Sequence, residues 1–95
     1  MHARVNTGQV QPDQLDKFVA AIQPLLRRAK QQAPGLMSVM LLGDRLTGKI
    51  VLVSRWESEA AAEAAEPVYQ EAMRELGRFI AEPPTREPYE VLLEE

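Results

Sequence analysis

Gly48-Lys-Ile-Val-Leu-Val-Ser-Arg-Trp56-Glu-Ser58 is the stretch that decides the fold. A glycine turn releases a β-branched run, and the run ends in a tryptophan and a helix-capping serine. Alternation along a strand puts Ile50, Leu52, Ser54 and Trp56 on one face and Val51, Val53 and Arg55 on the other. Both faces are largely apolar. The preceding segment, Leu36 to Leu42, shares this character, with Leu36, Ser38, Met40 and Leu42 opposed to Met37, Val39 and Leu41. Gly43-Asp-Arg-Leu-Thr-Gly48 between the two reads as a hairpin loop. A small antiparallel sheet packed on helices normally turns its second face to water. A sheet that is apolar on both faces needs a second cover. The simplest cover is the same sheet of another copy, so a homodimer through the sheet face is expected.

The rest of the order builds outward from this hairpin. Residues 3–10 form the first strand, with Val5 and Thr7 on one face and Arg4 and Asn6 on the other. Pro12 suits the first turn of a helix. Leu15, Phe18, Val19, Ile22, Leu25, Leu26 and Ala29 then recur at helical spacing. Asp13 and Asp16 at its start and Arg27, Arg28 and Lys30 at its end suit the helix dipole. Pro24 is expected to bend this helix near its middle, and Ala33-Pro-Gly35 to end it. After Ser58, the alanine-rich run to Glu66 is strongly helical, and Pro67 breaks or restarts it. A short helix followed by a longer one is expected, the second carrying the stripe Tyr69, Ala72, Met73, Leu76, Phe79 and Ile80. Glu82-Pro-Pro84 stops it. Tyr89 to Leu93 reads as the closing strand and Glu94-Glu95 as a solvated tail.

The order is β-α-β-β-α-β, an α+β chain of the ferredoxin-like type. Right-handed crossovers place the first and third strands side by side in the centre of a four-stranded antiparallel sheet, with the helices on one face.

Composition narrows the function. A chain of 95 residues, 45% hydrophobic and 26% charged, is expected to be one globular domain, residues 1–95. Eleven basic and fourteen acidic residues leave a formal charge of −3, which offers no electrostatic footprint for nucleic acid or an anionic membrane. There is no cysteine, so thiolate nucleophiles and zinc–sulfur sites are excluded. No signal-peptide core and no membrane-length apolar run is present, and a cytoplasmic setting is expected. Neither phosphate-binding glycine loop occurs.

A hairpin glycine, a β-branched strand and then Trp56-Glu-Ser-Glu-Ala-Ala61 resembles the antibiotic biosynthesis monooxygenase family of dimeric α+β barrels. The resemblance extends to the start of the first strand, to Pro34-Gly35 and to Tyr89-Glu-Val91. It implies a homodimer whose two sheets pack into a barrel with the helices outside, and a pocket between sheet and helices in each subunit. Some members of that family oxygenate phenols without metal or flavin. Others degrade heme with an Asn on the first strand plus a Trp and a His from the second helical region. Asn6 matches the strand Asn; the Trp position falls near Ala64 and the His position near Met73. Trp56 is a different position. Heme degradation is therefore not expected, nor is any cofactor or metal, and a small aromatic ligand is.

Asn6 is the candidate catalytic residue, since its amide can both donate to and accept from a phenolate or enolate. Its structural alternative is a bond to nearby backbone. Trp56 is a candidate pocket wall or plain core. Tyr69, Met73 and Phe79 are candidate substrate-binding residues on a stripe that also serves as core. His2, the only histidine, is expected to be mobile at the chain start. Glu59, Glu63 and Glu66 read as a solvated face. Arg4 and Arg55 either meet an anionic substrate or hold glutamates across the sheet. Two functions fit: a cofactor-independent monooxygenase or related small-ligand enzyme acting on an aromatic or quinol-like substrate, and a non-catalytic homodimeric binding or interaction module. An open cavity of roughly a few hundred Å³ with a polar floor favours the first, and a packed interior the second.

Overall fold

The computed structural model describes residues 1–95. Its elements are β1 (His2–Gln9), a single 3-10 turn (Pro12–Gln14), α1 (Leu15–Gln32), β2 (Leu36–Gly43), β3 (Lys49–Trp56), α2 (Glu59–Ala64), α3 (Glu66–Leu76) and β4 (Thr85–Glu90). The sheet is antiparallel throughout, in the order β2-β3-β1-β4. This is the expected ferredoxin-like arrangement, with β1 and β3 central.

Local chemistry sets each boundary. Ser58 caps α2 by accepting from the Ala61 amide at 3.1 Å. In the hairpin loop Asp44 Oδ1 accepts from the amides of Leu46 at 2.8 Å and Thr47 at 3.3 Å. Gly48 closes the turn at φ +79°, and its carbonyl accepts from the Val10 amide at 2.9 Å. α1 runs unbroken through Pro24, whose ring stands on the exposed side. Pro67 sits in the first turn of α3, the position a helix accepts, so it restarts the helix and does not disrupt it.

The helix-facing side of β3 joins two cores. Ile50 enters a cluster with Val10, Leu15, Phe18, Ile22, Leu25 and Leu76, and Trp56 enters another with Ala33, Ala62 and Ala65. Leu52 and Ser54, between them, border open space.

Four expectations are corrected. The closing strand is Thr85–Glu90, not Tyr89–Leu93. Pro88 reads as a strand breaker, but β4 is an edge strand, where a missing amide costs no ladder bond. A bulge between Leu36 and Ser38 changes the alternation of β2, so Leu36 joins Val39 and Leu41 on the helix side. His2 is not mobile: it is 7% exposed, and β1 pairs it with Trp56 and Glu90. The tail is not wholly solvated either, because Glu94 forms an ion pair with Arg55.

The sheet face away from the helices is uncovered. Register rows run Met40–Val53–Val5 and Leu42–Val51–Thr7 across it. Met40 is 55% and Leu42 46% exposed.

Candidate functional site

Between the sheet and the helices lies a predominantly apolar cavity of about 130 Å³. Phe18, Ile22 and Leu25 of α1, Leu52 of β3 and Val68, Ala72 and Leu76 of α3 supply its apolar walls. Its polar lining comes from Arg4 and Asn6 on β1, Ser54 on β3, Glu66 and Tyr69 on α3, and Arg86 on β4. The register explains this convergence. Asn6 is flanked by Leu52 on one side and Arg86 on the other, and Arg4 by Ser54 and Pro88.

Asn6 has the unusual chemistry. Its Oδ1 is fully buried and has no hydrogen-bond partner. An unsatisfied buried acceptor costs about 1–3 kcal/mol. Arg86 and Glu66 close the site beside it: Nη1 donates to Oε1 and Nη2 to Oε2, both at 2.8 Å. This two-pronged bond is the main reason the Glu66 carboxyl is lowered to about 2. Gln70 Nε2 also donates to Oε1, at 3.1 Å. The Arg86 guanidinium lies 3.8 Å from the centre of the Tyr69 ring. Burial raises the Tyr69 hydroxyl above its ordinary value, so at neutral pH it keeps its proton. Trp56 Nε1 donates to Ser54 Oγ at 2.9 Å, which satisfies both groups on the same sheet face as Arg4 and Asn6.

Chemically, the site is an apolar pocket with an unpaired acceptor at Asn6, a protonated phenol at Tyr69 and a carboxylate locked in an ion pair. Glu66 is too weakly basic to take a proton near neutrality. Among the sequence-derived candidates, Asn6, Trp56, Tyr69 and Met73 all line the cavity. Phe79 does not. It packs edge-on against Phe18 at 5.7 Å, beneath the Arg78 guanidinium at 4.7 Å. His2 does not line the cavity either; its Nε2 accepts from Arg4 Nε at 3.2 Å.

Sequence reasoning missed Glu66 and Arg86. Glu66 shares a helical spacing with Glu59 and Glu63 but belongs to the next helix, because α3 starts there. Pro67, immediately after it, was the available signal. Arg86 lay outside the expected strand. No group of three or more His, Cys, Asp or Glu residues is placed to hold a metal ion.

A sequence model of the antibiotic biosynthesis monooxygenases matches residues 1–75. The uncharacterized protein Rv2558 of Mycobacterium tuberculosis strain H37Rv is 32% identical over 65 residues, which make up 68% of this chain and 28% of that protein. The chain thus spans less than a third of the length of the curated relatives it matches. Among solved structures, a candidate antibiotic biosynthesis monooxygenase from Nitrosomonas europaea superposes with a TM-score of 0.82 at 20% identity, covering 98% of this chain and 100% of that one. A dimeric ferredoxin-like protein from an uncultured marine organism superposes with a TM-score of 0.76 at 13% identity, covering 99% and 90%. At such identities the superpositions speak for the fold.

Proposed function

The chain belongs to the antibiotic biosynthesis monooxygenase family, and from that premise we propose that its cavity binds a one-ring phenol or quinol and oxygenates it without a cofactor. The observation that carries this reading is Asn6, a residue of the cavity lining whose buried Oδ1 has no hydrogen-bond partner. A phenolic hydroxyl supplies the missing donor, and the amide nitrogen of Asn6 stabilises the oxyanion once the proton is gone. Tyr69, still protonated, orients the ring oxygen. Trp56 and Met73 are apolar walls in this scheme, with Phe79 packed on Phe18 of α1. The substrate supplies all the electrons. For a phenol, one oxygen atom of O2 becomes a second ring carbonyl and the other leaves as water, as the O–H and one ring C–H bond break. At about 130 Å³ the cavity is smaller than the few hundred Å³ expected, which limits the ligand to a single ring; an apolar cavity of roughly 150 Å³ in another protein accepts benzene.

The homodimer is part of the same proposal. The exposed rows around Met40 and Leu42 are the surface a second copy would cover, and one structural neighbour is described as dimeric.

The test is oxygen uptake by the purified protein over a panel of simple phenols and hydroquinones, with quinone formation followed by absorbance. Turnover by the native chain and its loss in Asn6→Ala, with an unchanged thermal melt, is the expected result. Equal rates in both proteins would remove Asn6 from the mechanism. The second reading, a non-catalytic binding module, is favoured by one observation: the only carboxylate at the cavity is held at about 2 and serves poorly as a base. Phenol binding with no oxygen uptake would select it.

A further inference from the structure

Arg4 is the one cationic side chain of the chain that is both withdrawn from solvent and without a carboxylate partner. Arg55, the other half-buried cation, is paired with Glu94. The remaining arginines and lysines are exposed to water. The one polar bond that Arg4's side chain makes is from Nε to His2 Nε2, at 3.2 Å, which leaves both terminal guanidinium nitrogens free. Arg4 lines the cavity two residues from Asn6 on the same face of β1. The other charges at the cavity, Arg86 and Glu66, neutralise each other in their two-pronged pair. Arg4 also acts on Glu66 at longer range and helps to lower its carboxyl, yet the three charges at the cavity still sum to one positive charge beside an unpaired acceptor. A half-buried charge without a counter-ion is costly, and an anionic ligand relieves that cost.

We infer that Arg4 is the counter-ion of the ligand, and that the phenol, once its hydroxyl has met Asn6, is held in the cavity in its ionised form, as an aromatic oxyanion. The proton then passes to solvent, the oxyanion faces the Arg4 guanidinium and the Asn6 amide nitrogen, and the ring occupies the apolar end. This rests on the phenol reading above and adds the charge state and the residue that selects it. It also meets a need the site otherwise leaves open, because a phenol whose anion Arg4 stabilises gives up its proton to solvent without a protein base.

The probe is 4-nitrophenol, whose ionised form has its own absorption band. Its titration is followed bound to the protein and free. In the native complex its midpoint is expected to fall by roughly 1–3 pH units, the effect of an opposite charge within about 4–6 Å. Arg4→Gln is expected to return the midpoint to the free value or above it, and Arg4→Lys to keep most of the fall. A role of Arg4 confined to holding His2 would not move the probe's titration. Should Arg4→Gln fail to fold, Arg4→Met replaces it, and the native complex is informative by itself. Binding with an unshifted midpoint, or a shift that survives loss of the Arg4 charge, overturns this inference and leaves the phenol site standing. No binding of the probe overturns both.

Discussion

Asn6 and Glu66 are opposite cases of a polar group beside an apolar cavity. Asn6 leaves an acceptor unsatisfied, at a cost to the empty fold, while Glu66 is fully engaged. Replacing Asn6 with leucine, similar in size and apolar, removes the unsatisfied atom. Asn6→Leu is therefore expected to raise stability by about 1 kcal/mol in a denaturant titration while abolishing phenol binding. A destabilised Asn6→Leu would mean that the amide has a structural partner, and its ligand role would fall. For Glu66 the sign follows from its lowered value. A carboxyl at about 2 when folded, against an ordinary 4.5, adds stability that is fully present above pH 4.5 and is lost as pH falls toward 2. With 38% of its side chain still exposed, solvent reduces the effect to on the order of 1 kcal/mol. Stability curves of the native chain and Glu66→Gln should therefore differ most above pH 4.5 and converge near pH 2. A gap of constant size across that range would show that the Arg86 bond does not set the carboxyl's affinity for protons.

At the scale of elements, the hairpin governs how β1 is seated. Gly48 holds φ +79°, and a Cβ there would lie 1.8 Å from the Val10 carbonyl oxygen. Gly48→Ala is expected to destabilise the chain by about 1–3 kcal/mol, read from the thermal midpoint, since both the backbone angle and the contact oppose it. Gly48→Asn, which tolerates the angle better, should recover little because the contact persists. The hairpin was also the most legible part of the sequence: its turn chemistry is local, and the alternation of β3 survives in the structure. β2 and β4 were less legible, for specific reasons. A bulge at the start of β2 is not written in the hydrophobic pattern, because Leu36-Met-Ser-Val-Met-Leu-Leu42 is apolar in either phase. In β4, Pro88 and the charged run Arg86-Glu87 hide a strand that needs only one partner. The same slip concealed Arg86, and with it the partner of Glu66. The candidate site was thus half visible. Asn6, Trp56, Tyr69 and Met73 are carried to the cavity by elements that were read correctly, whereas the ion pair depends on the strand that was misplaced.

For the whole molecule, one sheet separates two different surfaces. Under the helices it borders a cavity whose polar lining has an open acceptor and an unpaired guanidinium. On the other side it exposes Met40 and Leu42 beside half-buried Val5, Val51 and Val53. On the proposals above, each side has an occupant, a small aromatic anion on one and a second copy on the other. A charge at the exposed end of an open row should separate the copies, so Met40→Asp is expected to be monomeric in sedimentation velocity at micromolar concentration and to keep its helical content. Retained dimers in Met40→Asp would place the contact elsewhere. The most direct measurement is a native mass spectrum of the gently purified chain in the presence of 4-nitrophenol. A dimer that binds one probe per subunit, and loses the probe but not its partner in Asn6→Leu, is expected. A monomer would contradict the assignment of the open face, and a dimer that never takes up the probe would contradict the assignment of the cavity.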